Sequence, residues 1–443
     1  MDPTRLACTI ILCTGSLMAA DEFQANVRTA GNQCNVAITA DLDGRFALAW
    51  SSYFSTQGRS NDIIVRRFDL NGHAAGGEFR ANATRDGNQT EPAIASNGKG
   101  FLFVVWQGPD LNEDEDVFAG VFDPNDEPIT GEFRVNTDPL DRQLHPSVAA
   151  CDDGTFVVVW ENYRADGTIS ICGQLFESTG SAVGGELAID HDIWDCRYPD
   201  VAMDGSGNFA VVWMQDRSSN TIFARLFDRQ GAARSGPLSV STADIASVTH
   251  PSIAMSRSGD FVVAWDGDPT LASRDDIHAR CFGPEGTPRS APLLVNVQRE
   301  GRQQWPCVAI GETQEFVVVW QHEREAPSLS TDILARRFDL DGRPESNEFE
   351  LNVHVTGKQR DPVAAMSRHG SAIAAWQSED QDGSGYGIFV RVEPGADLNA
   401  DGAADLRDFC VLGQSWRGGQ HDLTGDGLVD ARDLRRLCRH WLK

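Results

Sequence analysis

A tryptophan closing an unbroken apolar run returns seven times along this chain, at Trp50, Trp106, Trp160, Trp213, Trp265, Trp320 and Trp376, spaced 56, 54, 53, 52, 55 and 56 residues apart. The clearest copy is Gly154-Thr155-Phe156-Val157-Val158-Val159-Trp160. It is a β-branched and aromatic run behind an Asp-Gly turn, which reads as a strand leaving a tight hairpin. Its apolar residues are continuous rather than alternating, so both faces of the strand must be buried. A near-constant period of this size marks a repeat architecture.

Each repeat carries the same companions. Upstream lies a strand led by proline, as in Pro146-Ser147-Val148-Ala149, and downstream a strand ending near a phenylalanine, as in Ala335-Arg336-Arg337-Phe338. A Gly-containing turn and a short fourth strand follow, as in Glu132-Phe133-Arg134-Val135-Asn136 and Glu348-Phe349-Glu350-Leu351-Asn352. Four strands per repeat with no helical pattern between them make the blade of a β-propeller. The seven repeats predict an all-β seven-bladed propeller over residues 21–393. The last repeat lacks its fourth strand, and the missing piece stands at the other end as Glu22-Phe23-Gln24-Ala25-Asn26. Such a strand would close the ring and remove the open sheet edge.

The formal net charge of −27 argues against nucleic acid and anionic membrane surfaces as partners. Residues 6–20 form an apolar run behind Arg5 that ends in small residues, as a secretory leader cleaved after Ala20 would. No other stretch qualifies as a membrane span. Of ten cysteines, Cys8 and Cys13 fall in that leader. The rest follow neither the repeat nor a CxxC pattern, which disfavours metal ligation and leaves buried thiols or one or two bridges.

In an up-and-down blade the first and third connections share one face of the ring. Here they are short turns such as Asp153-Gly154 and Asp341-Gly342. The loops on the other face are long and unlike one another, including 110–116, 163–167, 266–276 and 379–387. Variable loops on a rigid scaffold are where sites usually lie. The residue just ahead of each first-strand proline should sit near the mouth of the central channel on that face. These are Asn35 (before Val36, in place of proline), Glu91, His145, Tyr198, His250, Trp305 and Asp361. They offer polar and aromatic contacts for a ligand, with Tyr198 and Trp305 able to stack on sugars. A catalytic use would pair Glu91 with Asp361, or His145 with His250, as acid and base.

The pattern changes after Pro394-Gly395. Asp397, Asn399, Asp401, the Ala403 carbonyl, Asp405 and Asp408 stand at the ligand positions of a calcium loop, with Gly402 at its turn. Twenty-five residues on, Asp422, Thr424, Asp426, the Leu428 carbonyl, Asp430 and Asp433 repeat the spacing, with Gly427 at the turn. Each loop opens an amphipathic stripe: Phe409, Leu412 and Trp416, then Leu434, Leu437 and Trp441. The expectation is a small α-helical, EF-hand-like C-terminal domain at 397–443 holding Ca²⁺, joined by a linker at 394–396.

Two resemblances add to this reading. The phrases Gln377 to Ile388 and Glu-Phe-x-Val-Asn, as at Glu132 to Asn136, resemble repeats of large secreted bacterial proteins, a likeness that speaks to fold and not to activity. Residues 397–442, with two calcium loops each followed by a single helix, resemble a type I dockerin. That resemblance implies docking to a cohesin-like receptor on a scaffold or cell surface. Leu406-Arg407 and Ala431-Arg432 depart from the Ser/Thr such modules often carry for that contact, so an intramolecular cap or another surface tether stays open.

Three functions remain compatible with the sequence. The first is a secreted bacterial protein without catalytic activity, its propeller face holding a glycan or protein and its C-terminal unit attaching it to an assembly. The second is a carbohydrate-active enzyme, a glycoside hydrolase or lyase of polysaccharide breakdown. The third is a structural surface protein. If the loops hold calcium, chelation should abolish the ordered structure of 397–443 while the β signal of the propeller persists; circular dichroism with and without chelator checks this.

Overall fold

In the computed structural model the described residues are 22–395, apart from 55–59, 110–113, 139–141, 191–192, 218, 243, 269–274, 313 and 326–329, together with Leu423, Asp433, Leu434, Arg436 and Leu437. Seven four-stranded antiparallel sheets follow one another along the chain. The first strands, among them Gln33–Ala40, Thr90–Ser96 and Arg142–Ala150, pack against one another in sequence, and Gln33–Ala40 meets Gln359–Met366 of the seventh blade. The structure is a closed seven-bladed propeller. Among the described residues no helix is long and apolar enough to cross a membrane.

The continuous apolar run is explained by where each second strand sits. Phe156, Val158 and Trp160 pack toward the second blade, in one cluster with Phe103 and Val105. Val157 and Val159 point the other way and join Val211 and Trp213 of the fourth blade. Each second strand is therefore wedged between two sheets, and all seven tryptophans are at most 1% exposed. The phenylalanine that starts the run stacks on the one ending the third strand, as in Phe156 on Phe176 at 5.1 Å and Phe209 on Phe227 at 4.9 Å.

The fourth-strand phrase bonds both within its own blade and to the blade before it. The Asn136 side-chain oxygen accepts the Val117 N–H at 3.0 Å, and Asn82, Asn296 and Asn352 do the same for Ile63, Ile277 and Ile333. The phrase's glutamate reaches the preceding blade: Glu132 accepts the Ala83 N–H at 2.7 Å, and Glu348 the Val297 N–H at 2.7 Å. A third-strand arginine completes the tie, with Arg225 Nη1 donating to the Ile189 carbonyl at 2.7 Å and Arg336 Nη1 to that of Val295 at 2.8 Å. The third blade departs from the phrase, its fourth strand being the long Ala182–Asp190.

Ring closure reuses these parts. Phe23–Gln24 pairs with Tyr386–Glu393, setting Phe23 opposite Val390. Asn26 accepts the Ile388 N–H at 2.7 Å, Glu22 accepts the Val353 N–H of the sixth blade, and Arg66 Nη1 donates to the Ala25 carbonyl at 2.6 Å. The N-terminal segment thus behaves as an ordinary fourth strand.

One expectation needs adjustment. The 266–276 loop is shorter than its sequence suggests, since Asp266 lies within the strand Phe261–Asp268 and Asp276 starts the strand Asp276–Phe282. Among the described residues Cys34, Cys151, Cys172, Cys196, Cys281 and Cys307 are free thiols, while Cys410 and Cys438 lie outside them. Most of the C-terminal unit falls outside the described residues, including every proposed calcium ligand except Asp433.

Replacing Asn26 by alanine leaves the buried Ile388 amide without its acceptor and should lower the unfolding free energy by about 1–3 kcal/mol. An unchanged midpoint in urea unfolding would mean that the N-terminal strand does not clamp the ring.

Candidate active site at the mouth of the channel

The seven residues ahead of the first-strand proline position share an unusual backbone. Asn35, Glu91, His145, Tyr198, His250, Trp305 and Asp361 all have positive φ, between 46° and 55°. Each lies where the pairing of first and second strands slips, as between Leu144 and Ser147 or between Gln304 and Cys307. They are β-bulges, which re-aim a side chain, and the proline that follows six of them has no N–H to leave unpaired. A side chain in this conformation costs on the order of 1–3 kcal/mol, and such residues collect at functional sites.

What holds four of the bulges is a position not singled out by the sequence reading: the residue after a repeat tryptophan. Glu161 accepts the Tyr198 N–H at 2.7 Å, Asp266 that of Trp305 at 3.0 Å and Gln107 that of His145 at 3.0 Å. Gln377 accepts the Asn35 N–H at 3.4 Å, across the seam of the ring. The signal was present, because in six of the seven repeats, all but that of Met214, a polar residue there ends an otherwise apolar run.

The bulges bring the candidates together around the mouth. His145 Nε2 lies 3.6 Å from Glu91 Oε2, and Nδ1 lies 3.1 Å from Glu161 Oε2. Glu161 is fully buried, whereas the Glu91 and His145 side chains are 37% and 36% exposed and within reach of a ligand. Tyr198 follows at 4.9 Å from the His250 ring, and His250 stacks on Trp305 with centroids 3.6 Å apart. His250 Nδ1 lies 2.9 Å from Asp266 Oδ2, and Thr249 donates to the same carboxylate. Asp361 accepts a hydrogen bond from Gln377. His145 thus meets Glu91 and Glu161, and His250 meets Asp266, with Tyr198 standing between the two histidines.

The charges are tuned by this crowding. Burial raises the pKa of Glu91, and Glu161 and Asp361 raise it further against the opposing pull of His145. Burial likewise raises Asp361, which Arg360, Gln377 and His250 hold back. Burial disfavours charge on His145, yet Glu161 and Glu91 outweigh it and lift its pKa above the ordinary 6.5. Tyr198 is pushed up by burial and by Glu161, so it stays a phenol. The mouth thus gathers two carboxyls whose neutral forms are favoured by burial, an imidazole whose charged form is favoured by its carboxylate neighbours, and an aromatic row. Among the described residues no cluster of three or more His, Cys, Asp or Glu side chains is disposed to hold a metal ion.

No protein-family model and no curated protein matches this sequence. Solved structures do share its shape. An ulvan lyase of polysaccharide lyase family 25, bound to a glucuronic acid–sulfated rhamnose oligosaccharide, superposes with a TM-score of 0.52 at 11% identity, over 84% of this chain and 98% of its own. A second polysaccharide lyase gives 0.51 at 8% identity, over 84% and 91%. A protein of unknown function from Dyadobacter fermentans gives 0.50 at 12% identity, over 70% and 96%. At such identities the likeness establishes the propeller fold.

Because the His145 pKa is raised by folding, its ion pairing stabilises the protein fully below pH 6.5 and loses that effect as pH climbs through the raised value. Glu161→Gln should bring the His145 pKa down and flatten this alkaline loss. An NMR titration of the imidazole in both proteins measures the shift, and identical titrations would separate His145 from Glu161.

Proposed function

We propose that this protein is a secreted carbohydrate-active enzyme that cleaves a polysaccharide across the mouth of its channel. The observation that carries the proposal is the convergence of Glu91, His145, Tyr198, His250 and Trp305 on one rim, each turned there by a strained bulge. Trp305, 41% exposed and backed by His250, is a platform on which a sugar face stacks. Glu91 is the general acid: burial, Glu161 and Asp361 shift its balance toward the neutral carboxyl, which gives its proton to the glycosidic oxygen as that bond breaks. Asp361, also on the rim, takes the proton from the attacking water, so that each new sugar end carries a hydroxyl. The shared architecture of two polysaccharide lyases supports a carbohydrate substrate by analogy of fold. The excess of carboxylates at this mouth favours a neutral glycan over a uronate polymer.

In the same reading the acidic spacings at 397–408 and 422–433 hold two calcium ions and give the enzyme an attachment unit.

Incubating the mature protein with a panel of polysaccharides, assaying both retention and released oligosaccharides, tests the proposal. Glu91→Gln should lower the turnover of the cleaved substrate about 10²–10⁴-fold while retention persists. Unsaturated products would replace hydrolysis by elimination. Retention without any products would make the propeller a glycan-binding module.

A further inference from the structure

The face opposite the mouth carries a buried charge cluster that the glycan site does not use. Glu315 begins the second strand of the sixth blade, Glu315–Glu323, and is 2% exposed. Arg337 on the neighbouring strand, Thr331–Asp339, is 3% exposed and donates to the Gly370 carbonyl at 2.6 Å. A second guanidinium enters this cluster from far along the chain. Arg436 Nη2 lies 3.4 Å from Glu315 Oε2, with both side chains at most 3% exposed. Arg436 Nη1 donates to the Leu423 carbonyl, and Leu437 and Asp433 beside it are wholly buried.

The chain also leaves the propeller at this spot. The Gly395 N–H donates to Ser371 Oγ at 3.1 Å, and a Cβ on Gly395 would stand 2.2 Å from the His369 carbonyl oxygen and 2.4 Å from the Ser371 nitrogen. The exit is thus pinned to the same 369–371 turn whose Gly370 carbonyl Arg337 holds. A segment that departs and returns beside one turn meets its site intramolecularly, at an effective concentration on the order of millimolar.

We propose that the C-terminal segment bearing Leu423, Asp433, Arg436 and Leu437 docks in cis on the underside of the sixth and seventh blades, with Arg436 inserted as a bolt against Glu315. The occupant of this face is the protein's own C-terminal unit. Two buried cations, Arg337 and Arg436, gather around Glu315, and burial together with Arg436 lowers the Arg337 pKa to about 9. A buried carboxylate deprived of one cation is poorly solvated, so the docked state should be sharply sensitive to either partner. Docking in this way leaves the glycan mouth open and withholds the docked surface of the C-terminal unit from any separate receptor. It depends neither on catalysis nor on the identity of the glycan.

Hydrogen–deuterium exchange of the full-length protein tests the bolt through peptides spanning 311–316 and 423–437. Both should be protected in the native protein. Arg436→Gln leaves every propeller residue in place, yet exchange should rise roughly a hundredfold in 423–437 and rise also in 311–316. Peptides around His145 should not change. Glu315→Gln should act likewise, and the double variant should be no worse than the more damaging single one, as for two residues sharing one interaction. Unprotected 423–437 in the native protein, an Arg436→Gln variant without effect on 311–316, or additive effects of the two substitutions would each overturn the proposal.

Discussion

The wedge formed by each second strand is the constraint on which this molecule depends. A strand that buries both faces cannot stand at a surface, so every sheet needs a neighbour on each side. Val157 and Val159 need the fourth blade as Phe156, Val158 and Trp160 need the second. Applied seven times, that requirement is met at every sheet only by a ring. At the seam Trp50 packs with Ile373 and Ala375 of the last blade. The N-terminal strand is therefore part of the core: Glu22 and Ala25 make the inter-blade bonds, and Asn26 the intra-blade bond, that other fourth strands make.

The ring also creates the mouth. Its first strands converge on the channel, and a bulge in each turns one side chain toward the rim. At four of the seven positive-φ residues the strain is held by a polar residue that follows a tryptophan of the preceding blade. Scaffold and site are thereby coupled, because a carboxylate such as Glu161 both fixes the Tyr198 backbone and charges His145. The opposite face is made of short turns and carries the Glu315–Arg337 cluster, leaving the two faces free for separate tasks.

The architecture was legible because period and apolar continuity are local properties of the chain. The blade count, the closing strand and the membership of the rim could all be read from Trp160, Glu22 to Asn26 and the residues ahead of the prolines. Pairing on the rim could not. His145 and His250 look like an acid–base couple when only residue types are known, whereas Tyr198 stands between them and each has a carboxylate from its own second strand. The 266–276 loop was overestimated because the flanking strands run on into acidic residues, Asp266, Asp268 and Asp276, that the structure buries.

The sequence by itself determined the number of blades, the manner of closure and which seven residues occupy the bulges, because repetition imposes one environment on equivalent positions. Only the tertiary structure decided which groups meet: Glu91 with His145, His250 with Trp305, Arg436 with Glu315. Those contacts join residues from different blades or distant segments. Distances of that kind are set by how sheets twist and pack around a common axis, and no spacing along the chain encodes them directly.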